Sequence, residues 1–261
     1  MNILILIGSY RKNGNTERVA KLIAERLDAL AAAHHADLQM ETIRLGEWDI
    51  SSCRGCRVCF DRGEQFCPLR DALLPLKEKI KAANGLVLAS PVYVDDVSGL
   101  VKNWIDRLAH VCHRPEFGGK VAILVATVGA SPTAHTLRSM ASALITWGFQ
   151  IVDQVGFNCG ARMDDDELHA QHTRRAQRAA KRLFTALHQQ RYLNPPFLAL
   201  LTFKIQQTAW RREAPGSVDR EYWETQGWLA PGSTYYIRHR AGPLKVWLAR
   251  LAGSVIEKFV L

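Results

Sequence analysis

The chain has 261 residues, a hydrophobic fraction of 48% and a formal net charge of +9. This length suffices for one full core, or one core with an appendage, and the composition is that of a globular protein. The N-terminus lacks the basic segment of a secretion signal, and no uncharged apolar run approaches the ~18 residues of a spanning helix. We therefore expect a cytoplasmic protein whose clustered cysteines bind metal or take part in redox chemistry.

Strands and helices are predicted to alternate through residues 1–190. The aliphatic run 3–7 is typical of a strand buried on both faces, and Thr16 is placed to cap a following helix with apolar residues at helical spacing. The same patterns predict, in chain order, strand 38–45, helix 71–83, strand 86–89, helix 100–109, strand 120–128, helix 133–147, strand 149–157 and helix 165–190. This alternation predicts an α/β fold with a doubly wound, five-stranded parallel sheet.

A change in composition marks residues 191–261 as a C-terminal extension. Residues 1–170 carry 19 Lys and Arg against 20 Asp and Glu, whereas residues 171–261 carry 15 against 5. Four of the seven tryptophans lie in the extension, and Pro195-Pro196 supports a boundary near residue 190. We predict a domain over 1–190 and a basic, aromatic-rich, mainly helical extension over 191–261.

The apolar helix faces of the extension need a cover. Packing on the core or on a second copy is expected, and peripheral membrane contact or an acidic redox partner are the alternatives. Nucleic acid is not expected as a partner, because the basic charge comes without a recognised reading motif.

Four cysteines fall within 15 residues after the second predicted strand, with the spacing C-x2-C-x2-C-x7-C. Two intervening residues let consecutive thiolates turn toward one point, as a tetrahedral metal or a cubane cluster requires. A 4Fe-4S cluster, zinc and a metal-free loop all remain open at this stage. Cys112 and Cys159 are expected to be small buried residues. The candidate metal ligands are Cys53, Cys56, Cys59 and Cys67.

Ligands of a doubly wound sheet bind beyond the carboxyl ends of its strands. The loop over 8–16 offers hydroxyls, two cations and the start of a helix, which together suit a phosphate monoester. It is not a Walker A loop, because Asn15 and not Lys precedes Thr16. The loop after the third strand begins Ser90-Pro91-Val92-Tyr93.

These two loops, G-S-x-R-x-N-G-N-T and S-P-V-Y…S-G-x-x-K-x-x-x-D-R, together resemble the flavodoxin-like NAD(P)H-dependent FMN reductase superfamily. With the cysteine loop, the chain is most similar to the iron–sulfur flavoprotein branch. The resemblance covers about residues 1–190. It implies a flavodoxin-like fold, FMN as cofactor, NAD(P)H as electron donor, a homo-oligomer and, for this branch, a 4Fe-4S cluster.

The resemblance also implies which residues contact FMN. The phosphate would be held by Ser9, Arg11, Asn13, Asn15 and Thr16. The isoalloxazine would lie against Pro91, Val92, Tyr93, Val94, Asp95 and Asp96, with Ser98 and Gly99 nearby, and against Val128, Gly129 and Ala130. The last loop departs from the glycine-rich form usual in the family. No catalytic side chain is predicted.

The other polar residues receive structural interpretations. Lys102 and Arg107 are expected to be solvated helix cations, and His110 and His113 to occupy surface or cap positions. The acidic run 164–167 is expected to begin a helix.

We predict an FMN-dependent NAD(P)H oxidoreductase that reduces flavin, quinone or an electron-transfer protein. The alternative is a non-catalytic flavin- or zinc-binding sensor or scaffold that acts through the extension.

Overall fold

The structure is a computed structural model that describes residues 1–160, 163–189 and 194–260, without the side chains of 257–260. The predicted helix end at 190 and the predicted boundary at 190/191 lie outside these residues. The elements are β1 (Asn2–Ile7), α1 (Asn15–Ala33), β2 (Gln39–Arg44), α2 (Val58–Asp61), α3 (Leu73–Ala82), β3 (Gly85–Tyr93), β4 (Asp96–Val97), α4 (Gly99–Arg107), β5 (Val121–Val128), α5 (Ala134–Thr146), β6 (Gln150–Asn158), α6 (Asp165–His188), α7 (Phe197–Arg212), α8 (Val218–Thr225) and α9 (Pro243–Val260).

Five parallel strands form one sheet in the order β2-β1-β3-β5-β6. Counted over the parallel strands alone, this is the 2-1-3-4-5 order of flavodoxin-like folds. The predicted fold class is therefore confirmed, including the mainly helical C-terminal part. The order reverses between β1 and β3, so ligands are expected beyond the carboxyl ends of these two strands.

Alternate residues of β1 point into two separate hydrophobic layers. Ile3, Ile5 and Ile7 pack with the apolar faces of α1 and α6. Leu4 and Leu6 pack on the other side, with α3, α4 and α5. Both faces of the central strands are thus buried, and this explains why their sequence is continuously aliphatic instead of alternating with polar residues.

Two predictions about element ends were wrong. The third strand does not close at Ser90-Pro91, because β3 continues to Tyr93 and turns back into the two-residue antiparallel strand β4. The cap of α1 is Gly14 and not Thr16, which lies inside the helix and is buried. Gly14 offers no side-chain cap to the N–H groups of the first turn.

The extension has its own aromatic cluster, in which Phe203 of α7 and Trp223 of α8 are fully buried beside Trp228, Tyr235 and Tyr236. Helix α9 packs along α7. Within the described parts of the chain, no helix has both the length and the apolar character needed to cross a bilayer.

The outer face of α9 stays uncovered. Its exposed side chains are Leu244, Trp247, Leu248, Leu251 and Val255, and Phe197 and Leu198 at the start of α7 are exposed too. Leu200 of α7 is buried, and the side chain of Phe259 lies outside the described residues.

Candidate functional site

The loop between β1 and α1 curls around the hydroxyl of Ser9. The N–H of Arg11 donates to Ser9 Oγ at 3.1 Å, and the N–H of Asn13 donates to Glu17 Oε2 at 2.8 Å. Asn13 is left-handed, with φ 54°. Arg11 is exposed, and the helix that follows has only Gly14 as its cap. This combination of a cation with an uncapped helix N-terminus suits a phosphate.

Two other candidates in this loop connect it to neighbouring strands. Thr16 Oγ1 lies 2.7 Å from Thr127 Oγ1 near the end of β5, and both side chains are buried. The amide of Asn15 donates to the carbonyl of Cys159 at 3.2 Å, just beyond β6. The structure thus gives both side chains partners within the protein, and these contacts fix the loop relative to the sheet.

The loop after β3 is a two-residue turn between Tyr93 and Asp96, which pair across the hairpin. Val94 (φ 49°) and Asp95 (φ 64°) are both left-handed, as a type I′ turn requires. A β-branched residue in this conformation is strained, and Val94 is fully exposed. Such strain is found at functional sites more often than elsewhere.

Ser98 joins the loops after β1 and β3. Its hydroxyl accepts the N–H of Val101 as the cap of α4 and donates to the carbonyl of Gly8 at 2.7 Å. Gly8 must be glycine, because a Cβ there would lie 2.1 Å from Val101 Cγ2. The two loops predicted to bind the flavin are therefore held in fixed relative positions.

The remaining candidates lie in the same region. Pro91 and Val92 are half-buried near the end of β3, Val128 ends β5 and is buried, and Gly99, Gly129 and Ala130 are exposed. Asp96 accepts the N–H of Val97 at 2.7 Å. Burial alone would raise the pKa of Asp96, but hydrogen bonds from Val97 and Ser139 hold it below its usual value.

Exposed apolar side chains mark two regions outside the extension. Before residue 190, the described part of the chain exposes four large ones: Tyr10, Tyr93, Val94 and Phe66. Tyr10 lies in the loop after β1, and Tyr93 and Val94 lie at the hairpin that ends β3. Phe66 lies beside Cys67. Exposed apolar groups of this kind often line binding sites.

The four loop cysteines all line one cavity of about 590 Å³, against the start of α3 and the end of α4. Cys53 and Cys56 are exposed, whereas Cys59 and Cys67 are half-buried. Burial, followed by the neighbouring Cys67 and Cys53, raises the pKa of the Cys59 thiol. Helix α4, whose nine residues span about 12 Å, begins at the flavin loops and ends at this cavity.

Arg107 is a buried wall of this cavity and not a solvated helix cation. Its guanidinium contacts Asp71 at 2.5 Å and the carbonyl of Ser51 at 2.7 Å. One nitrogen lies 4.0 Å from Cys67 Sγ. This places a permanent positive charge beside a predicted thiolate ligand. Lys102, in contrast, is exposed and pairs with Asp106, as we expected.

A second buried cation, Lys77, pairs with Glu64 of the cysteine loop. The ammonium of Lys77 is 4% exposed and lies 2.8 Å from Glu64 and 2.7 Å from Glu116. Burial would raise the pKa of Glu64, but the hydrogen bond from Lys77 and the nearby charges hold it at about 2. Glu64, His110 and Glu116 come within 4.8 Å of one another, but the position between the two carboxylates is taken by Lys77.

His110 was predicted at a surface or cap position and is buried instead. It lines the cysteine cavity, and neither ring nitrogen has a hydrogen-bond partner. Burial lowers its pKa to about 3, so the ring is neutral at physiological pH. Sequence reasoning missed Arg107, Lys77 and His110, because each looks like an ordinary helix residue until its partners are brought together.

A doubly wound 2-1-3-4-5 sheet with a phosphate-type loop after β1 and an exposed turn after β3 defines a flavodoxin-like class of nucleotide-binding protein. The comparisons narrow this class. The family profile described as NADPH-dependent FMN reductase matches residues 1–162. The chain therefore belongs to the NADPH-dependent FMN reductase family.

Individual relatives agree with this assignment. An iron-sulfur flavoprotein of Archaeoglobus fulgidus is 26% identical over 75% of this chain and 84% of its own length. An NADPH azoreductase of a Bacillus species is 30% identical over 64% of this chain and 82% of its own length. The crystal structure of RosB with bound 8-demethyl-8-formylriboflavin-5′-phosphate has a TM-score of 0.58, with 14% identity and 93% of both chains covered, and shows the fold alone.

The family assignment confirms the predicted enzyme class. The chain is an NAD(P)H-dependent oxidoreductase of the FMN reductase type, with FMN and a nicotinamide as its cofactors.

Proposed function

We propose that this enzyme takes electrons from NAD(P)H through FMN and passes them to a one-electron acceptor by way of a 4Fe-4S cluster. The cluster would be bound by Cys53, Cys56, Cys59 and Cys67. The observation that carries the proposal is that all four thiols line one cavity, beside the buried guanidinium of Arg107. The reducing chemistry of such a site fits the cytoplasm.

The residues present fit FMN. The uncapped first turn of α1 and the exposed Arg11 would bind the phosphate, with Ser9 and Asn13 shaping the loop around it. The ring would lie against Tyr93 and the backbone of the strained turn, whose exposed N–H groups can donate to its polar edge. FMN, when bound, accepts a hydride as an electron pair and releases electrons singly.

The residues present also fit a cluster. All four cysteines line the same cavity of about 590 Å³, which leaves room for a multi-iron cluster between them. Arg107 would offset the negative charge of thiolate ligands.

Anaerobic reconstitution with iron and sulfide tests the cluster. The wild type should gain a broad absorbance near ~400 nm and several irons per chain, and Cys56→Ser should not. Cys112→Ser is the matched control, because Cys112 lies outside the cavity lining and should leave iron binding intact. Equal iron in wild type and Cys56→Ser would refute the cluster. One zinc per chain without added colour would support a structural metal, as in the sensor alternative.

We further propose that a second copy of the chain covers the outer face of α9. The exposed residues 244, 248, 251 and 255 follow a 4-3-4 spacing, which is the spacing of a seam between two helices. Leu251→Glu should convert the dimer to a monomer in sedimentation while FMN stays bound. Arg212→Glu is the control, because Arg212 is an exposed residue at the end of α7, and this variant should remain a dimer. A wild-type monomer that floats with anionic vesicles at low salt would instead support peripheral membrane contact.

A further inference from the structure

A direct ionic connection links the C-terminal extension to the cysteine loop. Asp219, near the start of α8, is 7% exposed and reaches back to the segment after α4. One carboxylate oxygen accepts a hydrogen bond from Arg114 Nη1, and the other lies 2.6 Å from His113 Nδ1. The carboxylate therefore holds two adjacent side chains of the flavodoxin-like domain.

Arg114 carries this connection to the cysteines. Its second terminal nitrogen, Nη2, donates to the backbone carbonyl of Cys59 at 2.6 Å and lies 3.3 Å from Glu64 Oε2. The guanidinium is almost fully buried. One planar group thus bridges Asp219 of the extension and the third cysteine of the loop, and a bridge of this kind needs the fixed fork of an arginine.

Ring contacts around His113 follow the same route. Phe60, the neighbour of Cys59, packs on the His113 ring with centroids 4.6 Å apart, and Trp210 of α7 packs on that ring at 4.9 Å. The indole of Trp223 donates to the carbonyl of His113 at 2.7 Å. The segment 113–114 is therefore held between the extension and the cysteine loop.

We propose that Asp219 and Arg114 are positioning residues for the metal site, so that the extension is a working part of it. Asp219 orients the guanidinium, and the guanidinium fixes the backbone at Cys59 with its thiol toward the cavity. The inference rests on the proposed metal site, but the positioning itself can be measured on the metal-free thiol. Loss of the Asp219 charge would leave Arg114 buried without its main partner and release Cys59.

The test compares Asp219→Asn with Glu221→Gln, which removes an exposed carboxylate two residues along the same helix. In the metal-free protein, alkylation of Cys59, followed by mass spectrometry, should become about tenfold faster in Asp219→Asn, equivalent to about 1.4 kcal/mol of local opening. The exposed Cys56 is the internal reference and should react at an unchanged rate. After anaerobic reconstitution, iron per chain should fall in Asp219→Asn and stay at the wild-type level in Glu221→Gln, with FMN content unchanged in both.

Arg114→Lys is the second variant, because lysine keeps the charge but cannot bridge both partners. It should show the same faster alkylation of Cys59. Unchanged alkylation of Cys59 in both Asp219→Asn and Arg114→Lys would overturn the inference, and so would parallel losses of FMN and iron, which would show a role in general folding. A wild type that binds no iron while Cys59 still responds to Asp219→Asn would refute the cluster and leave the positioning intact.

Discussion

Lys77→Met should destabilise the protein strongly at neutral pH, because the ammonium of Lys77 is buried between two carboxylates. The pKa of Glu64 is about 2 where the ordinary value is 4.5. At about 1.4 kcal/mol per pKa unit, this difference is an upper bound of roughly 3.5 kcal/mol of stability. Glu64 is 22% exposed, and Arg114 remains beside it after the substitution. We therefore expect a loss of about 3 kcal/mol, the lower end for breaking a buried pair.

The pH dependence gives the sign of the effect. A carboxylate with a lowered pKa contributes its stability above its unfolded value, and the contribution disappears as the pH falls from about 4.5 to about 2. The difference between wild type and Lys77→Met should therefore be largest at pH 7 and should narrow steadily below pH 5. At pH 7 the melting temperature should fall by about 6–12 °C.

Urea unfolding followed by tryptophan fluorescence at several pH values measures both quantities. Lys79→Met is the matched control, because Lys79 lies on the same helix and makes an exposed pair with Glu41 that is expected to contribute less than about 1 kcal/mol. A loss below about 1 kcal/mol for Lys77→Met at pH 7, or a difference that stays constant down to pH 4, would refute the reasoning.

Two further predictions concern the flavin loops. Arg11→Ala should weaken FMN binding by about tenfold or more in a fluorescence titration, since a charge-assisted phosphate contact is worth about 1.5–3 kcal/mol. Lys12→Ala, which removes the neighbouring exposed cation, should have a smaller effect. Equal FMN affinities of Arg11→Ala and the wild type would place the phosphate elsewhere. Val94→Asn should raise the melting temperature by about 2–4 °C, because asparagine tolerates the left-handed conformation at about 1 kcal/mol less strain. An unchanged or lower melting temperature would show that Val94 is not strained.

The sequence predicted those parts of the fold in which local pattern decides the structure. Continuous aliphatic runs identified the buried strands, and the acidic run before α6 forms the expected helix start, with a capping box between Asp164 and Glu167. The hairpin of β3 and β4 escaped prediction because a two-residue strand has no periodicity. The turn at Val94 escaped because valine disfavours the conformation that it adopts there.

The candidate site shows the same division. The spacing of the four cysteines was enough to predict that they lie together, whereas the charged residues around them could not be predicted. Arg107 pairs with Asp71, which lies 36 residues away in the sequence, and Arg114 pairs with Asp219, which lies 105 residues away. Nothing in the local sequence of these residues distinguishes a buried bridge from a solvated cation. The prediction that Thr16 caps α1 failed for a related reason, because its hydroxyl is taken by Thr127, 111 residues away.

The ion pairs around the cysteine loop determine whether the loop is ordered before metal binds. Small metal domains commonly fold only when the metal arrives, so that loss of metal means unfolding. Here Asp71, Glu64 and Asp219 each hold a buried cation that anchors the loop or the segments beside it, and none of these contacts involves a thiol. The loop is therefore preorganised before any metal binds. If the proposed cluster were lost to oxidation, the protein would therefore keep its fold, and repair would require only the return of iron and sulfide to an intact site.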